Sequence, residues 1–377
     1  MSSCIWRLDR KNDSVTGLDQ MLRNGRKKTT LKDVAKAVGV HVSTVSRALD
    51  ERTRHMITAE VADKIIKVSR ELDYSPNAAA YSLRTNRTRL IGVFVPDITN
   101  PVFPPIIRGI EDALGRRDYI AIVVNTEGTA TRESALINTL RGRGIDGLIV
   151  ASVERQDKAI DELVEAGIAV VTVNRRVDSP QVSSVVNDEH DGMRRVLEHL
   201  ISLGHSRIVG IAGPQGLSTG KIRHEAFQHF RKELGLAGDP DTVVFADAFN
   251  EDEGERCMET MLARDVDFTA VVASNDRLAI GSLTALKRHG IGCPSDVSVT
   301  GFNDMYLADR IDPPLTTVRI QQYEVGLKAA KALLRHIDAG DEIVEPVHDV
   351  LPVELVVRQS TARLAMAPLA TAPLTKL

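Results

Sequence analysis

Between Thr29 and Tyr74 apolar residues recur at helical spacing, and after Arg89 short apolar runs begin to alternate with amphipathic stretches. In the first segment Thr30, with Asp33 three residues on, makes a capping-box pattern, Asp standing for the usual Glu. Leu31, Val34, Ala35 and Val38 follow on one face, and Gly39 offers the left-handed residue that ends a helix. A second helix over 42–49 turns Val45, Ala48 and Leu49 inward, and Thr58 caps a third whose apolar face is Val61, Ile65, Val68 and Leu72. Ser75-Pro76 reads as another helix start, Ser as cap and Pro at the first position. The segment it opens, 77–83, is too short to be a stable helix alone in water.

Beyond Arg89 the runs rich in β-branched residues fall at 90–95, 119–124, 147–151, 169–173, 182–186, 207–212, 269–273 and 297–300. Helical stretches separate them at 106–116, 134–141, 158–166, 191–203, 223–234 and 277–289. This alternation predicts parallel α/β sheets with right-handed crossovers, and too many strands for one small sheet. Two α/β lobes are expected, with ligand crevices at the carboxyl ends of the strands. Residues 1–28 show no apolar period and read as a flexible extension, or as a leader before a start at Met21. The Ala/Pro-rich 361–377 reads as a loose tail.

Composition narrows the class. The 377 residues are 43% hydrophobic and 26% charged, and no apolar run approaches the roughly 20 residues that span a bilayer. The polar start lacks an apolar signal core, so a cytoplasmic protein without membrane contact is expected. Cys4, Cys257 and Cys293 match neither a metal-ligand spacing nor a disulfide framework and read as neutral thiols. No cofactor or metal is expected. The net charge is −3, but residues 26–90 hold 14 Lys/Arg against 7 Asp/Glu, so the remainder carries −10. A basic segment on an acidic body is the footprint of a nucleic-acid module joined to something else.

That module has the parts of a helix-turn-helix: two short helices, a turn at Val38-Gly39-Val40, and polar residues on the second helix. Such a helix enters the major groove and reads base edges. Its exposed candidates are Val42, Ser43, Ser46 and Arg47, Arg47 being able to meet guanine in a bidentate contact. Thr44 and Ser46 suit phosphate oxygens, which fix position and carry no sequence information.

The residues 30–35 (TLKDVA), Gly39-Val40 and 44–49 (TVSRAL) closely resemble the headpiece of the lactose-repressor/galactose-repressor family. The resemblance continues through 72–78 (LDYSPNA) and Leu83, and then through the whole body. Its landmarks include 100–103 (NPVF), 203–205 (LGH), Asn275-Asp276, Gly301-Phe302, 314–317 (PLTT) and 355–360 (LVVRQS). It covers nearly all of 29–360 in order. It implies an all-α headpiece at 29–75, a hinge helix and linker at 76–88, and a two-lobed periplasmic-binding-protein-like body at 89–360. The N-lobe would take 89–186 and 319–348, the C-lobe 187–318 and 349–360. It also implies a homodimer on double-stranded operator DNA, controlled by a small effector held between the lobes.

By this resemblance the DNA contacts are Thr30, His41, Val42, Ser43, Thr44, Ser46, Arg47 and Asn77, with Leu83 wedged into the minor groove. Such a wedge exchanges a few kcal/mol of unstacking for a bent site that meets more protein. The chain departs from the family at His41, where a Ser cap is usual, and in 51–54, which looks slightly long. The cleft residues carried over are Phe103, Asn174, Arg223, Phe249, Asn275 and Asn303, with Arg175 beside them. Two of these, Asn174 and Asn303, are Asp in the family's namesake. Losing two carboxylates while keeping Arg223 favours a sugar acid, sugar phosphate or related polyol. Asn275-Asp276 equally fits a helix N-cap pair.

Two other functions are opposed by the sequence. The stretch 216–221 (GLSTGK) has one residue too few for a phosphate loop, and Ile222 stands where Ser or Thr would hold magnesium. No nucleophile elbow, zinc-protease motif or dinucleotide fingerprint is present, so an enzyme is not expected. A solute-binding protein without a DNA role is opposed by the basic headpiece.

Overall fold

The computed structural model describes residues 29–74, 87–236, 240–340 and 342–364. The extension 1–28, the hinge with Asn77 and Leu83, and residues 365–377 lie outside the described residues. The chain forms two compact units, Met1–Asn86 and Arg87–Leu377.

The first unit is a small helical bundle. Helix α1 (Leu31–Val38) starts where the Thr30 N–H and hydroxyl both donate to Asp33 Oδ2, at 2.8 and 2.7 Å. It stops at Gly39, whose φ of +79° lets its N–H and that of Val40 donate to Ala35 O. Helices α2 (Val42–Leu49), α3 (Glu51–Arg54) and α4 (Ala59–Glu71) follow. Val34, Ala35, Val38, Val45, Ala48, Ala62 and Ile65 form one buried core.

The second unit holds two six-stranded sheets. Its elements in order are β1 (Leu90–Val95), α5 (Phe103–Gly115), β2 (Ile120–Asn125), α6 (Ala130–Gly142), β3 (Gly147–Val150), α7 (Lys158–Glu165), β4 (Ala169–Val173), β5 (Ser183–Asn187), α8 (Glu189–Ser202), β6 (Ile208–Ala212), α9 (Ser218–Glu233), β7 (Val243–Phe245), α10 (Glu251–Leu262), β8 (Ala270–Ala273), α11 (Asp276–Arg288), β9 (Ser298–Asn303), β10 (Thr316–Arg319), α12 (Gln322–Ala339), β11 (His348–Leu351) and β12 (Glu354–Val356). The N-lobe sheet, ordered β11-β5-β4-β3-β1-β2, is wholly parallel. The C-lobe sheet, β12-β10-β9-β8-β6-β7, is parallel except that β12 runs antiparallel to β10. The central strands are nearly all buried, as their continuous apolar runs require. Helix α12 lies tightly on α5, because a Cβ on Gly326 would stand 2.0 Å from Ile106 O and one on Gly109 2.1 Å from Tyr323 O.

The chain passes between the lobes three times, after β5, after β10 and after β11. The crossings are stitched together: Asn187 Oδ1 accepts the Gln321 N–H at 2.9 Å, and the Asp188 N–H donates to Leu351 O at 2.8 Å. They fall slightly later than the sequence boundaries. Asn187 belongs to β5 of the N-lobe, Arg319 to β10 of the C-lobe, and 349–351 to β11 of the N-lobe. The body also runs past the expected start of the tail. Leu364 N donates to Leu203 O at 2.9 Å, and Ala362 O lies 3.0 Å from the His205 ring.

Candidate functional site

On the first unit, α2 carries the candidate reading residues. His41, Ser43 and Arg47 are exposed, and Thr44 and Ser46 are half-buried. Val42, expected on the outer face, instead packs half-buried against the core. Thr30 is exposed, with its hydroxyl held by Asp33. His41 is a working N-cap: its Nδ1 accepts the Ser43 N–H at 3.3 Å and lies 2.8 Å from Ser43 Oγ. The ring therefore does the work of the missing Ser and keeps Nε2 free of that duty. The segment 51–54, expected as a slightly long loop, is instead the short helix α3, and it has a structural use as well. Thr53 Oγ1 donates to Arg47 O at 3.1 Å and Arg54 Nε to Ala48 O at 2.9 Å, so two carbonyls at the end of α2 gain partners.

In the second unit one cavity between the lobes is lined by all seven candidates, Phe103, Asn174, Arg175, Arg223, Phe249, Asn275 and Asn303. Asn100, Val102 and Thr219 line it too. Most of these sit where strands end: Asn174 after β4, Phe249 after β7, Asn275 after β8, Asn303 at the last position of β9. That is where parallel sheets place ligands. Asn174 and Asn303 have φ of +64° and +120°, a region that Asn tolerates better than other side chains with a Cβ. The cavity volume is about 20 Å³, room for one or two waters. A sugar-sized ligand therefore requires the lobes or the lining side chains to part.

Arg223 is the centre of the site. Its Nε is bonded to Glu189 Oε2, Nη1 donates to Ser274 O at 2.6 Å, and Nη2 donates to Asn303 Oδ1 at 3.2 Å. Its guanidinium carbon lies 3.8 Å from the centre of the Phe302 ring. Arg223 and Glu189 are 2% and 4% exposed, so each is a buried charge with the other as its counter-charge. Burial pushes the Glu189 carboxyl up from its ordinary pKa, against the pull of Arg223. Arg223 thus already has a buried counter-charge in Glu189. A second buried cation of the cavity is Arg175, which feels the Glu133 and Glu154 carboxylates. Burial, with Arg223 adding like charge, lowers its pKa to about 10, and its buried Nε has no protein partner.

Asn275 fulfils its helix-cap role: its Oδ1 accepts the Leu278 N–H at 2.8 Å, leaving the amide NH2 as a donor. Asp276 does not line the cavity; it is buried, accepting from Met305 N and Thr317 Oγ1, and burial raises it to about 6. The cleft therefore offers donors from Arg175, Asn275 and Asn303, an acceptor at Asn174 Oδ1, which has no partner, and the rings of Phe103 and Phe249. Also between the lobes, Arg277 of the C-lobe pairs with Asp97 of the N-lobe at 3.1 Å and with Glu251 at 2.6 Å. The Arg176 N–H also donates to Ser218 Oγ at 3.0 Å, and the Arg155 N–H to Gly216 O at 3.0 Å.

Sequence reasoning missed Glu189 and Ser274. Glu189 looks like an ordinary acidic residue in a first helical turn, and nothing local announces a partner 34 positions away. The stretch 216–221 opens α9, and its Lys221 lies 3.6 Å from Glu225 on the surface. Among the described residues no group of three or more His, Cys, Asp or Glu could hold a metal, and no helix is long and apolar enough to cross a membrane. Burial raises Cys257 to about 11 and Cys293 to about 12, so both thiols are neutral at ordinary pH.

Residues 30–77 match the family of bacterial regulatory proteins called the lacI family, and 197–361 match a periplasmic binding protein-like domain. The transcriptional repressor PurR of Haemophilus influenzae is 32% identical over 336 residues, covering 88% of this chain and 98% of that one. A lac repressor dimer solved with operator and the anti-inducer ONPF superposes with a TM-score of 0.78 at 25% identity, covering 89% of this chain and all of that one. The transcriptional regulator CelR in complex with cellobiose gives 0.68 at 29%, covering 88% and 100%.

Proposed function

The chain belongs to the lacI family of bacterial regulatory proteins and is a DNA-binding transcription regulator; on that premise we propose that it is a cytoplasmic repressor released by a small polyhydroxylated effector. The observation that carries this reading is an inter-lobe cavity to which both lobes contribute and whose walls mix two phenyl rings with amide and guanidinium groups. Rings cover the apolar faces of a sugar, and amides and guanidinium meet its hydroxyls. With Arg223 held by Glu189, a carboxylate or phosphate on the effector would be met by Arg175. Sugar acids and sugar phosphates therefore remain within the class, together with neutral sugars. PurR, CelR with cellobiose and the lac repressor are named as regulators, which supports a binding role over catalysis.

Two copies of the chain would place two α2 helices on the half-sites of a near-palindromic operator. His41, Ser43, Thr44, Ser46 and Arg47 would form the contact surface, with Thr30 at phosphate and Asn77 and Leu83 acting from the hinge. An effector with unequal affinity for two lobe arrangements shifts the population competent for DNA. The test is a thermal-shift screen of sugars, sugar acids, sugar phosphates and purines on the full chain, repeated on Phe249→Ala. A hit that weakens in Phe249→Ala and releases the operator supports the reading. A hit of undiminished affinity in Phe249→Ala discards the cleft assignment, and a chain with no affinity for duplex DNA would be a plain solute-binding protein.

A further inference from the structure

Between the end of α5 and the second half of α12 lies a cavity of about 410 Å³, against about 20 Å³ for the cavity between the lobes. Helix α5 leads from Phe103 in the cleft to Gly115, so at 1.5 Å per residue Arg116 lies about 20 Å from the effector site. The floor is Ala113 and Leu334, each 5% exposed. The walls carry four exposed cations, Arg116, Arg117, Lys331 and Arg335, against one carboxylate, Asp338. That carboxylate is already shared: Oδ2 accepts from Arg117 at 2.7 Å and Oδ1 from Arg87 at 3.1 Å. Arg116, Lys331 and Arg335 form no ion pair among the described residues, and Arg335 donates to a backbone carbonyl, Glu345 O, at 3.2 Å. Cations often close helix C-termini. That role covers Arg116 and Arg117 but not Lys331, which stands about two turns before the end of α12, and the last turn of α12 holds the acid Asp338. The chain outside 26–90 carries −10, so a gathering of unpaired positive charge is not the general character of this surface.

We propose that this cavity binds a compact polyanion carrying two phosphoryl groups, at a site separate from the effector cavity. Guanidinium forks meet phosphoryl oxygens through paired hydrogen bonds, and the Lys331 ammonium adds a point charge. Two phosphoryl groups carry about −3 to −4, which answers four cations and one carboxylate. The volume falls within the roughly 300–1,000 Å³ of small-molecule sites. A cleft lined by one sign of charge also focuses the field and gathers counter-ions. A neutral sugar would leave that charge unanswered, and a cation would be repelled. A DNA backbone could touch the mouth but not the buried floor of Ala113 and Leu334. The site adjoins the start of the body, because Asp338 also holds Arg87, whose Nη2 donates to Ile337 O at 2.6 Å.

The test is titration calorimetry of the full chain with inorganic pyrophosphate at about 0.15 M ionic strength, where loose ion clouds are screened beyond roughly 8 Å. The expected result is one site per chain with a Kd below about 1 mM. Affinity should fall about tenfold in Lys331→Gln and in Arg335→Gln, the loss of one charge-assisted contact each. It should vanish when Arg116→Gln, Lys331→Gln and Arg335→Gln are combined, rise in Asp338→Asn, and stay the same in Phe249→Ala. The three cations are exposed and unpaired, so an unchanged ligand-free melting temperature should show the combined variant folded; should it misfold, the single variants decide. Four results overturn the proposal: no binding of pyrophosphate, undiminished affinity in Lys331→Gln and Arg335→Gln, loss of binding in Phe249→Ala, or an equal response to sulfate at the same ionic strength, which would mean an adventitious ion only. A duplex selected by the chain from a random pool should bind the combined variant with the parent's salt dependence. A slope of log affinity against log salt shallower by about 0.9 per lost contact would give the cavity to DNA phosphates and overturn the small-ligand proposal as well. The effector reading is judged separately, by operator release with sugars.

Discussion

Arg223→Met tests the buried pair at the centre of the cleft. The substitution keeps most of the side-chain length but removes the counter-charge bonded to Glu189 and the donors to Ser274 O and Asn303 Oδ1. Stranding one partner of a buried ion pair costs about 3–5 kcal/mol. At about 2–4 °C per kcal/mol for a unit of this size, that is a fall of roughly 6–20 °C in melting temperature. The loss also has a pH signature. Burial already raises the folded-state pKa of Glu189 above its unfolded value, and without Arg223 it rises further. A carboxyl raised in this way favours folding fully only below its unfolded pKa, and the benefit is lost as pH climbs through the folded value. The difference between Arg223→Met and the parent should therefore widen from pH 5 to pH 8. Urea denaturation of both at several pH values reads it directly. A loss below about 1 kcal/mol, or one constant across that range, would refute the view of Arg223 and Glu189 as mutually neutralising buried charges.

Burial raises Glu133 to about 7, so its contribution to stability is present below its unfolded pKa and is lost as pH rises through 7; Glu133→Gln should flatten the stability profile between pH 5 and 8, checked by melts across that range. Arg47→Ala should weaken operator binding by about 1–3 kcal/mol and relax discrimination at one base pair, measured by anisotropy on single-base operator variants. His41→Ala should cost about 0.5–2 kcal/mol of headpiece stability and His41→Ser should restore it, by thermal denaturation; equal stability of the two would deny the cap. Arg277→Ala should change stability by less than about 1 kcal/mol, since its partners Asp97 and Glu251 are 40% exposed. It should nonetheless alter effector affinity, read by calorimetry, because the pair with Asp97 spans the lobes.

The parts of the fold that sequence reading captures are those with a local cause. Three of the headpiece helices follow from 3.6-residue spacing and from the Thr30–Asp33 and Gly39 signals, all seen in place, whereas the four residues of α3 are too few to show a period. Six of the body helices and the longer strands follow from alternation. The strands β7, β10, β11 and β12 have three or four residues each and, unlike the equally short β3 and β8, are not wholly buried apolar runs, so their pairing is decided by distant partners. The stretch expected from 106 begins earlier, at Phe103, because Pro104 and Pro105 are tolerated in a first helical turn. The cleft residues came from family resemblance; no periodicity singles out Phe249 or Asn303. What the resemblance left out is charge pairing. Glu189 reverses the meaning of Arg223, and only three-dimensional proximity reveals it.

The central claim, that a ligand in the cleft sets the grip on DNA, is tested most directly by operator affinity with and without the best-binding sugar from the screen. The account predicts a change of about 5- to 150-fold, and by linkage the same factor in sugar affinity when operator is present. Equal operator affinity at saturating sugar, with sugar binding shown in the same sample, would contradict it.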